Sequence, residues 1–163
     1  MIDCVFEDGN KSSLRHVVVD TLVLKDDKIL LVKRTGKLLE GGKWSLPGGF
    51  VDRDETTAQA AVREVLEETG WQVTDLVLLR INDNPDRPRE DRQNISFVYF
   101  CTATEKTGDA DWETDGRQWF SWDELPDDEN IAFDHAENIS LYRKYLKDKL
   151  ALPILRGDRS TIV

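Results

Sequence analysis

Directly after Pro47 the chain runs GGFVDRDETTAQAAVREVLEETGW, from Gly48 to Trp71, and few folds accommodate such a run. A Pro-Gly-Gly turn precedes a capped helix. Thr56 and Gln59 form a Thr-x-x-Gln capping box, which predicts a helix start near Thr57. Gly70 suits the left-handed position just past a helix end. At about 100° per residue, Ala58, Ala61, Val62, Val65, Leu66 and Thr69 gather on one side, the predicted buried stripe. Glu64, Glu67 and Glu68 gather within an arc of about 100° on the other side, with Ala60 among them and Arg63 at its border.

Such a cluster is unfavourable by itself. Like charges at i,i+3 and i,i+4 cost roughly 0.2–0.5 kcal/mol each. The second half of a helix also disfavours anions. A solvated acidic face is the ordinary reading of a bare E-x-x-E-E. The fixed company of Pro47-Gly48-Gly49, Glu55, Arg63 and Gly70 argues instead that a cation belongs among these carboxylates. A divalent metal ion is the simplest such cation, so the segment points to metal-assisted chemistry on an anionic substrate.

From Gly49 onward the order is five residues, Glu55, seven residues, Arg63, Glu64, Val65, Leu66, Glu67, Glu68, Thr69, Gly70, Trp71. This resembles the signature of the Nudix hydrolases at every fixed polar and glycine position. Trp71 stands where the family has an aliphatic residue, a departure that touches packing rather than chemistry. The resemblance implies an α/β fold, a Nudix-type α/β/α sandwich with a mixed, curved sheet between helices. It implies cleavage of a nucleoside diphosphate linked to another group, by water and Mg²⁺ or Mn²⁺. It assigns Glu64 and Glu68 as principal metal ligands, Glu67 as a further ligand or anchor of a metal-bound water, and the Gly49 carbonyl as a companion. Arg63 would hold the carboxylates, Glu55 would orient Arg63, and Gly48 and Gly70 would support the site. Hard oxygen ligands suit Mg²⁺, which keeps waters and bridges to phosphates, and such metals lower the pKa of bound water. The general base stays open between a glutamate of the box and a carboxylate on a later loop. Glu113 resembles a MutT-type metal-binding position, and Asp115 is its rival.

The resemblance covers most of residues 15–150, read as one domain between an N-terminal segment, 1–14, and a tail, 151–163. A length of 163 residues suits a single core. The formal net charge of −10 argues against a nucleic-acid duplex as partner. A small phosphorylated substrate is compatible if metals and local cations invert the field at the site. Cys4 and Cys101 lie far apart, which points to reduced thiols, with Cys101 a small core residue. No apolar stretch approaches 18 residues and no signal peptide is visible, so a cytoplasmic protein without a membrane span is expected.

Strands are predicted over 2–6, 16–24, 28–34, 72–81, 94–102 and 118–122, and a closing helix over 136–150. The turn Lys25-Asp26-Asp27 makes the second and third a hairpin. Arg34 and Lys43 occupy places where related enzymes contact phosphate or base. The polar loop from Asn82 to Gln93 resembles a sequence of the ADP-ribose pyrophosphatases. From it Arg87, Arg89 and Arg92 could reach a diphosphate or ribose, or the loop could serve a homodimer contact. Phe133 could stack on an adenine, and Asp134 could cap the last helix. His135 reads as a local hydrogen-bonding residue, and Trp44 and Trp112 flank the expected site. The expected substrate is an ADP-ribose-like nucleoside diphosphate derivative. The alternatives are a MutT-like pyrophosphohydrolase of nucleoside triphosphates and a non-catalytic nucleotide sensor, the latter disfavoured by the intact box.

Overall fold

The computed structural model describes residues 2–87, 93–108 and 114–155. Glu113, Trp112, Arg89 and Arg92 lie outside the described residues. The strands are β1 (Ile2–Val5), β2 (Lys11–Leu14), β3 (Val17–Lys25), β4 (Lys28–Arg34), β5 (Trp44–Ser45), β6 (Gly48–Phe50), β7 (Trp71–Asn82), β8 (Ile95–Lys106), β9 (Thr114–Ser121) and β10 (Ile154–Leu155). The helices are α1 (Thr57–Thr69) and α2 (His135–Asp148), with a 3-10 turn at Asp128–Asn130. β1 and β2 form a hairpin of their own. The other strands make one mixed sheet in the order β10-β7-β8-β3-β4-β5, with β6 also on β3 and β9 also on β4.

Strand β3 shows how the layers arise. Successive side chains of a strand point to opposite faces. Leu22 and Leu24 join the core that Ile139 and Tyr142 of α2 close. Val19 meets Ala60 and Ala61 of α1, and Val23 meets Val65. The parallel neighbour β8 alternates in step, Val98 and Phe100 facing α2, Tyr99 and Cys101 facing α1. One helix therefore covers each face, as expected. At the β3–β4 hairpin Lys25 pairs with Lys28, and Asp26 and Asp27 both take positive φ (49° and 58°). That is the backbone a two-residue hairpin turn requires.

Helix α1 starts and stops as expected. Both halves of the capping box are present, and Gly70 ends the helix at φ 74° with its N–H bonded to Leu66. Its buried side, however, differs from the expected stripe. Ala60, Ala61, Val65, Glu68 and Thr69 are buried, while Ala58 is exposed and Val62 and Leu66 are each 40% exposed. The helix is rotated by roughly 80° about its axis, so that Glu64 and Glu68 share the inward face. The cause is polar. A strand of glycines lies beneath the helix, and the Gly48 N–H is bonded by the Glu68 carboxylate. Small Ala60 and Ala61 permit the close approach.

Two further expectations are corrected. Within the stretch read as a tail, Ile154–Leu155 forms a parallel edge strand on β7. Asp134 stands at the N-cap of α2, yet its side chain makes no capping hydrogen bond, because Arg87 and Asn82 engage it.

Candidate active site

The Pro47-Gly48-Gly49 turn continues into β6, whose Gly48 and Gly49 lie opposite Asp20 and Val19 of β3. Each glycine is required for a different reason. A Cβ on Gly48 would lie 2.1 Å from the Val19 carbonyl oxygen, so the strand could not pair so closely. A Cβ on Gly49 would lie 2.4 Å from Glu64 Oε1, so the carboxylate could not rest where it does. Glu68 reaches the same strand, its Oε2 accepting from the Gly48 N–H at 3.1 Å.

Arg63 organises the remaining carboxylates. Its Nε and Nη2 donate to the two oxygens of Glu55 at 3.1 and 2.7 Å. Nη1 donates to Glu64 at 2.9 Å and Glu67 at 3.0 Å, and Nη2 also to the Phe50 carbonyl. The Glu55 fork above all holds the Arg63 guanidinium charged, and Arg63 in turn holds the Glu55 carboxyl below its ordinary value. The Asp52 N–H adds to the latter effect. Three glutamates thus contact one guanidinium, and with Glu68 on the Gly48 N–H these five side chains carry a formal excess of three negative charges.

Beside this cluster opens a cavity of about 510 Å³, lined by Gly48, Gly49, Arg63, Glu64 and Glu67, and also by Arg34, Leu38, Leu39, Phe133, Asp20, Arg87 and His135. The Arg34 guanidinium lies 4.9 Å from the Phe133 ring centre, and its Nε donates to the Leu39 carbonyl at 2.9 Å. Phe133 takes φ 54°, a strained conformation for a bulky side chain.

A buried polar network reaches the cavity wall from the α2 face. Arg87 forks onto Asp134 at 3.1 and 2.7 Å, with one arm 3.9 Å from Asp20. Ser96 donates to Asp20, and His135 Nε2 lies 3.1 Å from the same carboxylate. The Leu46 N–H points at His135 Nδ1 from 2.9 Å, so that nitrogen carries no proton and Nε2 is the donor to Asp20. Burial opposes ionisation of Asp20, but His135, Arg87 and Ser96 outweigh it and hold the carboxyl well below the usual range.

Of the residues singled out in the sequence, Gly48, Gly49, Arg63, Glu64, Glu67, Arg34, Arg87 and Phe133 come together on one cavity. Glu55 and Glu68 bond to residues that line it, and Gly70 caps α1. Lys43 is not among the lining residues; its ammonium is 2.7 Å from Glu40. Trp44 packs edge-on against Phe120 in the core rather than on the cavity. Asp20, Ser96 and Asn82 also belong to the buried polar network, and no sequence motif marks them. The available signal is a single acid within β3, whose other residues up to Leu24 are apolar apart from Thr21.

The donor set fits a hard divalent cation. It is all oxygen, it carries excess negative charge, and a glycine leaves space against Glu64. Among the described residues no three acidic, histidine or cysteine side chains are gathered so as to hold a metal ion by themselves. Mg²⁺ is commonly held in just this open way, by one or two carboxylates with waters and substrate phosphates completing its shell.

A family model described as the NUDIX domain matches residues 14–142. An ADP-ribose pyrophosphatase of Methanocaldococcus jannaschii is 39% identical over 131 residues, covering 79% of this chain and 73% of its own. An 8-oxo-dGTP diphosphatase of Proteus vulgaris is 36% identical over 101 residues, covering 57% of this chain and 85% of its own. Among solved structures, an ADP-ribose pyrophosphatase from Streptococcus suis superposes with a TM-score of 0.68 at 26% identity, covering 89% of this chain and 100% of that one.

Proposed function

The chain belongs to the Nudix family, and on that premise we propose that it uses Mg²⁺ to hydrolyse the diphosphate linkage of an ADP-ribose-like nucleoside diphosphate derivative. The observation that carries this reading is the approach of Glu64 to the bare Gly49 backbone, under the Arg63 clamp. The intact set of Glu55, Arg63, Glu64, Glu67 and Glu68 favours a hydrolase over a non-catalytic sensor.

In this reading Glu64 and Glu68, with the Gly49 carbonyl, hold the metal. A bound divalent ion supplies charge neutralisation at the phosphates and a more acidic water. Glu67, whose side chain is 49% exposed, is a further ligand or accepts the proton of the attacking water. Arg63 keeps Glu64 and Glu67 in place, and Glu55 fixes Arg63. The Arg34–Phe133 pair offers a flat face to the base. Arg87 lends positive charge to the cavity wall although Asp134 already holds its fork. Glu113 is the alternative base and Lys43 a more distant phosphate contact, each testable by its alanine variant. A cytoplasmic location and a homodimer are part of the same proposal.

The similarity to the Proteus vulgaris 8-oxo-dGTP diphosphatase favours a second reading, a nucleoside triphosphate pyrophosphohydrolase. Incubation with Mg²⁺ and a panel of ADP-ribose, other nucleoside diphosphate derivatives and triphosphates, with products identified by mass, separates the two. AMP and ribose 5-phosphate are expected from ADP-ribose, with Glu68→Gln as the inactive control. Release of pyrophosphate from triphosphates alone would replace the first reading by the second, and no product from any compound would overturn both.

A further inference from the structure

Among the described residues, hydrogen bonds from β3, α1 and α2 hold the turn that carries Gly48 and Gly49. On β3, the Thr21 N–H donates to the Pro47 carbonyl at 2.9 Å, and the β3–β6 ladder continues that attachment. On α1, Glu68 accepts from the Gly48 N–H. On α2, His135 Nδ1 accepts from the Leu46 N–H at 2.9 Å, across a separation of 89 residues. Of these, the third comes from outside the glutamate-bearing segment and the strand that pairs with it; Trp44 and Ser45, just before the turn, are held separately by β4 and by the Ala132 N–H.

We propose that His135 is a positioning residue for the metal site: its Nδ1 fixes the Leu46 N–H and thereby sets the Pro47–Gly49 backbone against Glu64 and Glu68. The inference rests on the metal-binding reading above and adds to it a residue from the far end of the chain. His135 is suited to the task because it is itself immobilised. It is 3% exposed, and its second nitrogen is held by Asp20, which Ser96 also bonds and Arg87 neighbours. A ring pinned at both nitrogens has one orientation, and an error in that orientation is passed directly to Leu46. The tolerance is small, because Leu46 is only 2% exposed and Gly48 is packed too tightly to admit even a methyl group.

The two nitrogens can be separated by substitution. The amide oxygen of asparagine lies as many bonds from Cα as Nδ1 does, so His135→Asn keeps an acceptor for Leu46 and loses the arm to Asp20. Glutamine reaches one bond further, so His135→Gln keeps the arm to Asp20 and loses the acceptor. Binding of Mn²⁺ alone, followed by its EPR signal, reads the metal site without turnover, and thermal unfolding of the metal-free proteins reads the fold. His135→Gln is expected to weaken Mn²⁺ binding by about tenfold, the usual scale for groups that orient metal ligands. His135→Asn should stay within about threefold of the parent protein, even where both variants lose the same melting temperature. If the glutamine variant does not fold, His135→Ala, which removes both arms without adding bulk, takes its place. Equal weakening by the asparagine and glutamine (or alanine) variants, or no weakening by either, would overturn the positioning role while leaving the metal reading intact. A parent protein that neither binds Mn²⁺ nor loses binding on Glu68→Gln would overturn the metal reading, and this inference with it.

Discussion

Replacing Gly49 and Gly48 by alanine, one at a time, separates the chemistry of the site from the stability of its scaffold. At Gly49 the new Cβ would stand 2.4 Å from Glu64 Oε1 and 2.7 Å from its Cδ. Restoring an ordinary contact of 3.4 Å drives the carboxylate back by about 1 Å. A misplacement of that size at a reacting centre costs roughly 100-fold in rate, or about 2.7 kcal/mol of activation free energy. The fold should barely notice. The obstacle is the end of a flexible side chain, and Gly49 does not have the positive φ that excludes an alanine. A weakened Arg63–Glu64 hydrogen bond costs about 1 kcal/mol, offset by the roughly 0.4–1 kcal/mol an alanine removes from unfolded-state entropy. At Gly48 the Cβ would meet the Val19 carbonyl oxygen at 2.1 Å, which is backbone and cannot step aside. Strand β6 must move off β3, and such overpacking costs about 1–3 kcal/mol or more, at roughly 2–4 °C of melting temperature per kcal/mol for a chain this size. Steady-state kinetics on the best substrate of the panel, with thermal unfolding on the same samples, checks both halves. A Gly49→Ala protein with parental kcat, or one that melts as early as Gly48→Ala, refutes the account of why each glycine is there.

Chelation should abolish turnover and Mg²⁺ or Mn²⁺ should restore it, with a melting temperature that rises with metal concentration as ligand linkage requires; turnover that survives exhaustive chelation sinks the metal role. Arg87→Met leaves Asp134 and Asp20 buried without their guanidinium and should cost about 3–5 kcal/mol by denaturant unfolding, the usual penalty for breaking a buried pair. A loss below 1 kcal/mol would contradict the burial argument. Phe133→Gly removes a strained left-handed conformation together with the ring on which Arg34 stacks. Its KM should rise about tenfold, the scale of a lost stacking contact, while its melting temperature stays the same or increases; an unchanged KM dismisses the base-stacking face. Glu55 has a folded-state pKa below its ordinary 4.5. Its pairing therefore stabilises the protein above that value and is lost as the pH falls through the lowered one. Glu55→Gln should flatten the acid limb of the melting-temperature profile, and parallel limbs would show that the pair contributes nothing.

Local chemistry made much of this protein readable from its residues. The capping box, the left-handed Gly70 and the Asp26-Asp27 turn are satisfied by near neighbours, so α1, its ends and the hairpin follow from short stretches of chain. The spacing of Arg63, Glu64, Glu67 and Glu68 is likewise a helical property, with Glu55 just before the helix, and the proposed metal site rests on it. What the sequence alone could not decide was which way α1 faces. Periodicity counts apolar side chains, and by that count Val62 and Leu66 belong inside. The tertiary structure turns them out because a glycine strand beneath the helix needs a carboxylate on its N–H, and Ala60 and Ala61 let the two come close. The network of Asp20, Ser96, Arg87, Asp134 and His135 was hidden for the same reason. Its members are spread over three strands or loops and a helix start, and only the pairing of β3 with β8 and the docking of α2 bring them within hydrogen-bonding range. A buried charge finds its partner across space, and no local pattern records that partner.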